Sequence, residues 1–139
     1  MNPSLKVASL GLLLILGWLA YSMVQMTDQM ERKAHSKHDA ATQAMIENAC
    51  LSYMVEYNQM PPATGNKTLT TALLGDNPRH MAFLSLSQNQ MNADREMIDE
   101  WGTPFRIDRQ RKSGVQIISA GPDKVFGTAD DIVTDSSTK

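Results

Sequence analysis

The sequence predicts an α+β protein: a long N-terminal α-helix, a loop with one short helix, then a small antiparallel β-sheet. Three observations carry this. Residues 7–24 form an uncharged run in which fourteen of eighteen side chains are apolar. Residues 25–57 then continue without a single glycine or proline. Near the C-terminus the periodicity changes, with Phe105 and Ile107 alternating with Arg106 and Asp108, and Val115 and Ile117 flanking Gln116.

The chain has 139 residues, room for one small domain and an appendage. Its formal charge of −2 gives no basic face for nucleic acid, so no nucleic-acid partner is expected. The lone cysteine, Cys50, excludes an intramolecular disulfide and a multi-cysteine zinc site.

The run at 7–24 sits at the lower edge of the roughly 17–25 residues that span a bilayer as a helix. Trp18 and Tyr21 lie toward one end, where amphipathic rings favour the membrane interface. The expected partner of this run is therefore a lipid bilayer. A cleaved signal peptide with Ala20-Tyr21-Ser22 as its small-x-small site is the competing reading. The breaker-free continuation favours the uncleaved anchor, since one helix can emerge directly from the membrane. Lys6 on one side and Arg32, Lys33 and Lys37 on the other leave the positive-inside count balanced. The six-residue N-terminus favours a head outside the cytoplasm.

Beyond the run, residues 28–39 are almost wholly polar and predict a solvated stalk. Ile46, Ala49, Cys50, Tyr53 and Tyr57 recur at three- and four-residue steps, so helix packing is expected to begin near Ala41. Pro61-Pro62 predicts the helix stop. Leu69, Leu73 and Leu74, between Gly65-Asn66 and Gly75-Asp76-Asn77-Pro78, predict a short helix and a turn. Residues 81–86 are apolar and expected against the core, while 88–100 read as an irregular connection. The two strands flank a polar loop at 109–114.

The chemistry-bearing segment is 119–132, with Asp123, Asp130 and Asp131 spaced around Gly121 and Gly127. Drawn together without a cation these carboxylates repel, and a hard oxygen-seeking ion such as calcium relieves that repulsion. The bland alternative, an acidic solvated turn, fits composition alone. The EF-hand spacing is absent.

Several stretches resemble one family. Asp99-Glu100-Trp101-Gly102-Thr103-Pro104-Phe105, Ser119-Ala120-Gly121-Pro122-Asp123 and Gly127-Thr128-Ala129-Asp130-Asp131-Ile132 look like the C-terminal domain of the major pseudopilin of type II secretion systems. Ile46-Glu47-Asn48-Ala49-Cys50-Leu51-Ser52-Tyr53 and Met60-Pro61 resemble that family's helix end and exit. The resemblance implies a pilin-like fold and structural calcium held by Asp123, Asp130 and Asp131, with carbonyls from Ala120, Val125 or Thr128. It also implies a non-enzymatic subunit of protein transport, in contact with copies of itself or other secretion-system subunits. A non-polymerising, anchored calcium-binding module of the cell envelope is the alternative. The implied organisation is a cytoplasmic N-terminus at 1–6, a signal-anchor helix at 7–24 and a stalk with packed helix at 25–60. A pseudopilin-like head at 61–133 and a flexible tail at 134–139 complete it. The protein is expected to cross the inner membrane once, with its head on the periplasmic side. The family's processing junction, glycine followed by Phe-Thr-Leu-Ile-Glu, has no counterpart in Ser4-Leu5-Lys6-Val7-Ala8-Ser9, and the apolar run carries no glutamate.

Other residues read more plainly. His35 and His38, three apart with Asp39 adjacent, form half of a metal site with no second half in view, and read as a solvated face. Arg109, Arg111 and Lys112 read as a solvated hairpin tip. Cys50 and Trp101 read as core residues.

Overall fold

The computed structural model describes residues 3–110 and 114–133, with side chains from residue 13 onward except at 109–110. The basic tip (Arg111, Lys112 and the side chain of Arg109), the tail at 134–139 and the side chains of the N-terminal stretch at 1–6 lie outside the described residues. The elements are α1 (Pro3–Tyr57), α2 (Asn66–Leu73), a 3-10 turn (Gln88–Gln90), β1 (Arg106–Gln110), β2 (Gly114–Ser119) and β3 (Ile132–Val133). No residue within 23–57 lacks a donor or forces a bend, so the helical hydrogen-bond ladder runs unbroken. The chain divides into two compact units, Met1–Ala34 and His35–Lys139.

The first unit is the N-terminal part of α1. Its large apolar side chains, among them Leu14, Leu16, Trp18 and Met23, stand exposed. Among the described residues no helix is long and apolar enough to cross a membrane. Of the expected span at 7–24, side chains 7–12 lie outside the described residues.

The second unit holds the core. One face of α1 contributes Ile46, Ala49, Cys50 and Tyr53, matching the expected stripe. Leu69, Ala72 and Leu73 of α2 meet it, as do Leu84, Met97, Phe105, Val115 and Ile117. Tyr53, Tyr57 and Phe83 pack as a tilted trio with ring centroids 4.5–5.9 Å apart. Burial pushes the Cys50 thiol up to about 12, so it is a packed apolar group, not a nucleophile.

The sheet is antiparallel in the order β1-β2-β3. Arg106 pairs with Ile118 and Gln110 with Gly114, so Arg109, Gln110 and Gly114, expected in the loop at 109–114, belong to the ladder. On the other edge of β2, Ile118 pairs with Val133 and Ser119 with Ile132. The short β3 thus returns the acidic segment to the sheet from which it left.

Three local expectations are revised. Helix α1 ends at Tyr57, before the prolines, because Asn58 turns left-handed at φ 51°. The second compact unit begins at His35, and Asp39 is buried at 1% exposure, so packing starts before Ala41, while His35, Lys37 and His38 keep the solvated face expected of them. Trp101 is only half-buried, and Phe105 takes the core position expected of it.

Candidate metal loop and a polar cluster on helix α1

The loop at 119–132 is built by its own aspartates. It leaves β2 through Gly121, whose φ of 66° is left-handed and whose hydrogen faces the Asp130 carbonyl at a distance no Cβ can share. Asp123 Oδ1 accepts the Val125 N–H at 2.8 Å, an Asx turn that reverses the chain. Asp130 then ties the two ends: its Oδ2 accepts the Asp123 N–H at 3.2 Å and its Oδ1 the Thr128 hydroxyl at 2.6 Å. The Thr128 hydrogen bond is the main cause holding the Asp130 carboxyl below its ordinary value. Asp131 Oδ2 accepts the Gly127 N–H at 2.8 Å. At the loop exit, Gln43 Nε2 of α1 donates to the Ile132 carbonyl at 2.8 Å.

The three expected ligands are therefore brought into one loop, and each caps backbone or hydroxyl donors there. Of the expected carbonyl donors, Val125 accepts the Thr128 hydroxyl and Thr128 the Asp131 N–H. Among the described residues no three His, Cys, Asp or Glu side chains are arranged as a ready metal shell. Asp131 Oδ1, however, is buried with no hydrogen-bond partner. A buried anionic oxygen without a donor is costly, and a hard cation satisfies it without needing a hydrogen. The donor chemistry of Asp123 and Asp131 with loop carbonyls fits calcium.

Beside the loop lies a second polar cluster, whose two halves are far apart in sequence. Asp99 caps the turn after it, accepting Trp101 N–H at 3.0 Å and Thr103 N–H at 2.7 Å through Oδ1. Its Oδ2 accepts the buried Ser119 hydroxyl at 2.9 Å, linking this turn to the start of the acidic loop. Asp39 of α1 accepts the Glu100 N–H at 2.9 Å. Glu100 in turn faces His35 and His38. Burial, then the negative charges of Asp99 and Glu100, push the Asp39 carboxyl above its ordinary value. Asp39 Oδ2 and Gln43 Oε1, one helical turn apart, are buried without hydrogen-bond partners. A cavity of about 240 Å³ opens here, lined in part by Asp39, Thr42, Gln90 and Asp99. The sequence signal for Asp99 was its place two residues before Trp101 and three before Gly102 in a turn-forming stretch; for Gln43 there was none.

With this geometry the chain can be set against known proteins. No protein-family model matches it, and no curated protein matches it in sequence. Among solved structures it superposes on the crystal structure of the major pseudopilin from the type 2 secretion system of enterohaemorrhagic Escherichia coli. The TM-score is 0.51, with 22% identity, over 76% of this chain and 87% of that one. The fold is pilin-like. Long helix, short helix and three-stranded antiparallel sheet are the pilin-like arrangement that the sequence predicted.

Proposed function

We propose that the chain is a structural, non-enzymatic subunit of a type II secretion apparatus, anchored by residues 7–24 and carrying a calcium-stabilised head. The pseudopilin fold carries this reading. The apolar run supports anchoring in the inner membrane with the head on the periplasmic side. Self-assembly, or assembly with other secretion-system subunits, is the corresponding partnership. The buried, donorless Asp131 Oδ1 supports calcium at Asp123, Asp130 and Asp131. In this reading the ion neutralises the loop and fastens β3 to β2, and it supplies no chemistry to a substrate. A second reading, an anchored module that does not polymerise, is favoured by the missing glutamate in the apolar run.

Thermal melting of the full chain in detergent tests the calcium assignment. A ligand bound to the native state alone, at tenfold its Kd, adds about 1.4 kcal/mol. Outward-facing calcium sites typically bind at about 10⁻⁴–10⁻³ M, so millimolar calcium should raise the melting temperature. Magnesium should do little, because it demands a tighter octahedron. Asp123→Ala and Asp131→Ala should abolish the response. A wild-type curve that is the same in calcium and in chelator would leave a solvated acidic turn. Cross-linking in native membranes separates the two assembly readings: a ladder of multimers supports the subunit, a single band the lone module.

A further inference from the structure

Asp39 and Gln43 stand one turn apart on α1, so their side chains share a face of the helix. Both are buried, at 1% and 0% exposure. Each makes one link outward from the helix. Asp39 Oδ1 accepts the Glu100 N–H at 2.9 Å, and Gln43 Nε2 donates to the Ile132 carbonyl at 2.8 Å. Each also holds one buried oxygen that no donor meets, Oδ2 in Asp39 and Oε1 in Gln43. Two buried acceptors on one helix face, with no hydrogen for either, are costly.

The surrounding groups do not supply the missing hydrogen. Turning the Gln43 amide over would set its oxygen against the Ile132 carbonyl and exchange an orphan for a repulsion. The Ser119 hydroxyl borders Asp39 but gives its proton to Asp99 Oδ2 at 2.9 Å. The charged groups that face Asp39 from the turn packed against α1 are the carboxylates of Asp99 and Glu100. On α1 itself, His35 and His38 engage Glu100 and moderate only that charge. On the loop side, the residue before Ile132 is a further acid, Asp131. Burial and this negative surrounding both favour a neutral carboxylic acid over a carboxylate.

We propose that Asp39 of the folded head takes up a solvent proton on Oδ2 and donates it to Gln43 Oε1, making the pair an acid-favoured brace between α1 and β3. One proton turns an acceptor into a donor and satisfies both orphan oxygens. The brace reaches both ends of the acidic loop. Through Glu100 it holds the turn whose Asp99 binds Ser119, and Ser119 Oγ accepts the Gly121 N–H at 3.1 Å where the loop begins. Through Gln43 it holds Ile132, where the loop rejoins the sheet. A carboxyl raised in the folded state contributes its full stability below its unfolded value and loses it as pH rises through the folded value. Mild acid therefore tightens the head at this point, and alkali returns the proton to solvent and leaves two bare acceptors.

The test is carboxyl-carbon NMR of the full, aspartate-labelled chain in detergent and chelator, with the Asp39 signal assigned by its loss in Asp39→Asn. The Asp39 midpoint should lie above the ordinary aspartate value. Gln43→Met, which keeps the length and removes the acceptor, should lower that midpoint. Melting of wild type and Asp39→Asn gives an independent readout, because the asparagine N–H stands where the added proton would be. From about pH 8 to about pH 5, where ordinary carboxylates stay ionised, the wild type should gain on the variant until the two curves meet. Groups common to both chains cancel in this difference. The proposal is overturned if Asp39 titrates at or below the ordinary value, if Gln43→Met leaves its midpoint unchanged, or if the gap between the two melting temperatures is the same at every pH.

Discussion

Asn66 uses every hydrogen-bonding site an amide side chain has. Its Nδ2 donates to the Met97 and Phe105 carbonyls at 2.8 and 2.9 Å, and its Oδ1 accepts the Met97 N–H and the Thr70 hydroxyl. One residue at the start of α2 thus replaces the sheet partner that the irregular connection lacks. Asn66→Ala would strand two buried backbone groups, the Phe105 carbonyl and the Met97 N–H, each costing about 1–3 kcal/mol, while the Met97 carbonyl keeps the Phe105 N–H. A loss above about 2 kcal/mol is expected in chemical denaturation, and a loss below about 1 kcal/mol would mean water takes over those groups. Asp39 presents the opposite case, because its Oδ2 is buried without a donor and faces the same side of α1 as the equally unpaired Gln43 Oε1. Asp39→Asn keeps the acceptor for the Glu100 N–H and removes a desolvated charge. It should stabilise the head by about 1 kcal/mol, a rise of roughly 4 °C in melting temperature. A lower melting temperature would show that the carboxylate is required.

At the scale of elements, the acidic loop separates two glycines that look alike in sequence. Gly121 and Gly127 both have positive φ, 66° and 91°. At Gly121 a methyl group would strike the Asp130 carbonyl, whereas at Gly127 it meets nothing within 4 Å. A left-handed backbone alone costs an alanine about 1–2 kcal/mol. Gly127→Ala should lose about that and keep its calcium response. Gly121→Ala should lose more and lose the response, because the Asp123–Asp130 tie cannot close. Equal melting curves for the two variants would count against the closed loop. The helices were legible from local pattern: the stripe from Ile46 to Tyr57 and the leucines of α2 fall where periodicity put them. The stop of α1 was not, because Asn58 reaches its left-handed turn three residues before the prolines that advertise it. The half-buried place of Trp101 is hidden from the sequence for a related reason. Its size suggested a plug, yet the Asp99 turn aims it beside His35 and gives the core to Phe105.

At the scale of the whole chain, the apolar run at 7–24 and the head with its pseudopilin fold call for different experiments. If the run is an anchor, mass spectrometry of the membrane fraction should recover peptides that include residues 1–6. Recovery of only a soluble form beginning near Met23 would favour a cleaved signal peptide. The sequence alone determined what depends on near neighbours. The breaker-free helix, the alternating hairpin, the glycine-hinged aspartates and the resemblance they carry are all patterns among neighbours in sequence, where spacing and side-chain type decide the backbone. The tertiary structure decided what depends on distant partners. Glu100 reaches His35 across 65 residues, Gln43 reaches Ile132 across 89, and Asn66 reaches Phe105 across 39. The connection at 88–100 has no periodicity of its own, so its side chains find their places only when the helices and sheet are packed around them. That is why Asp39 reads as part of a solvated stalk in sequence and stands buried in the structure, while His35 and His38 beside it stay exposed and face Glu100.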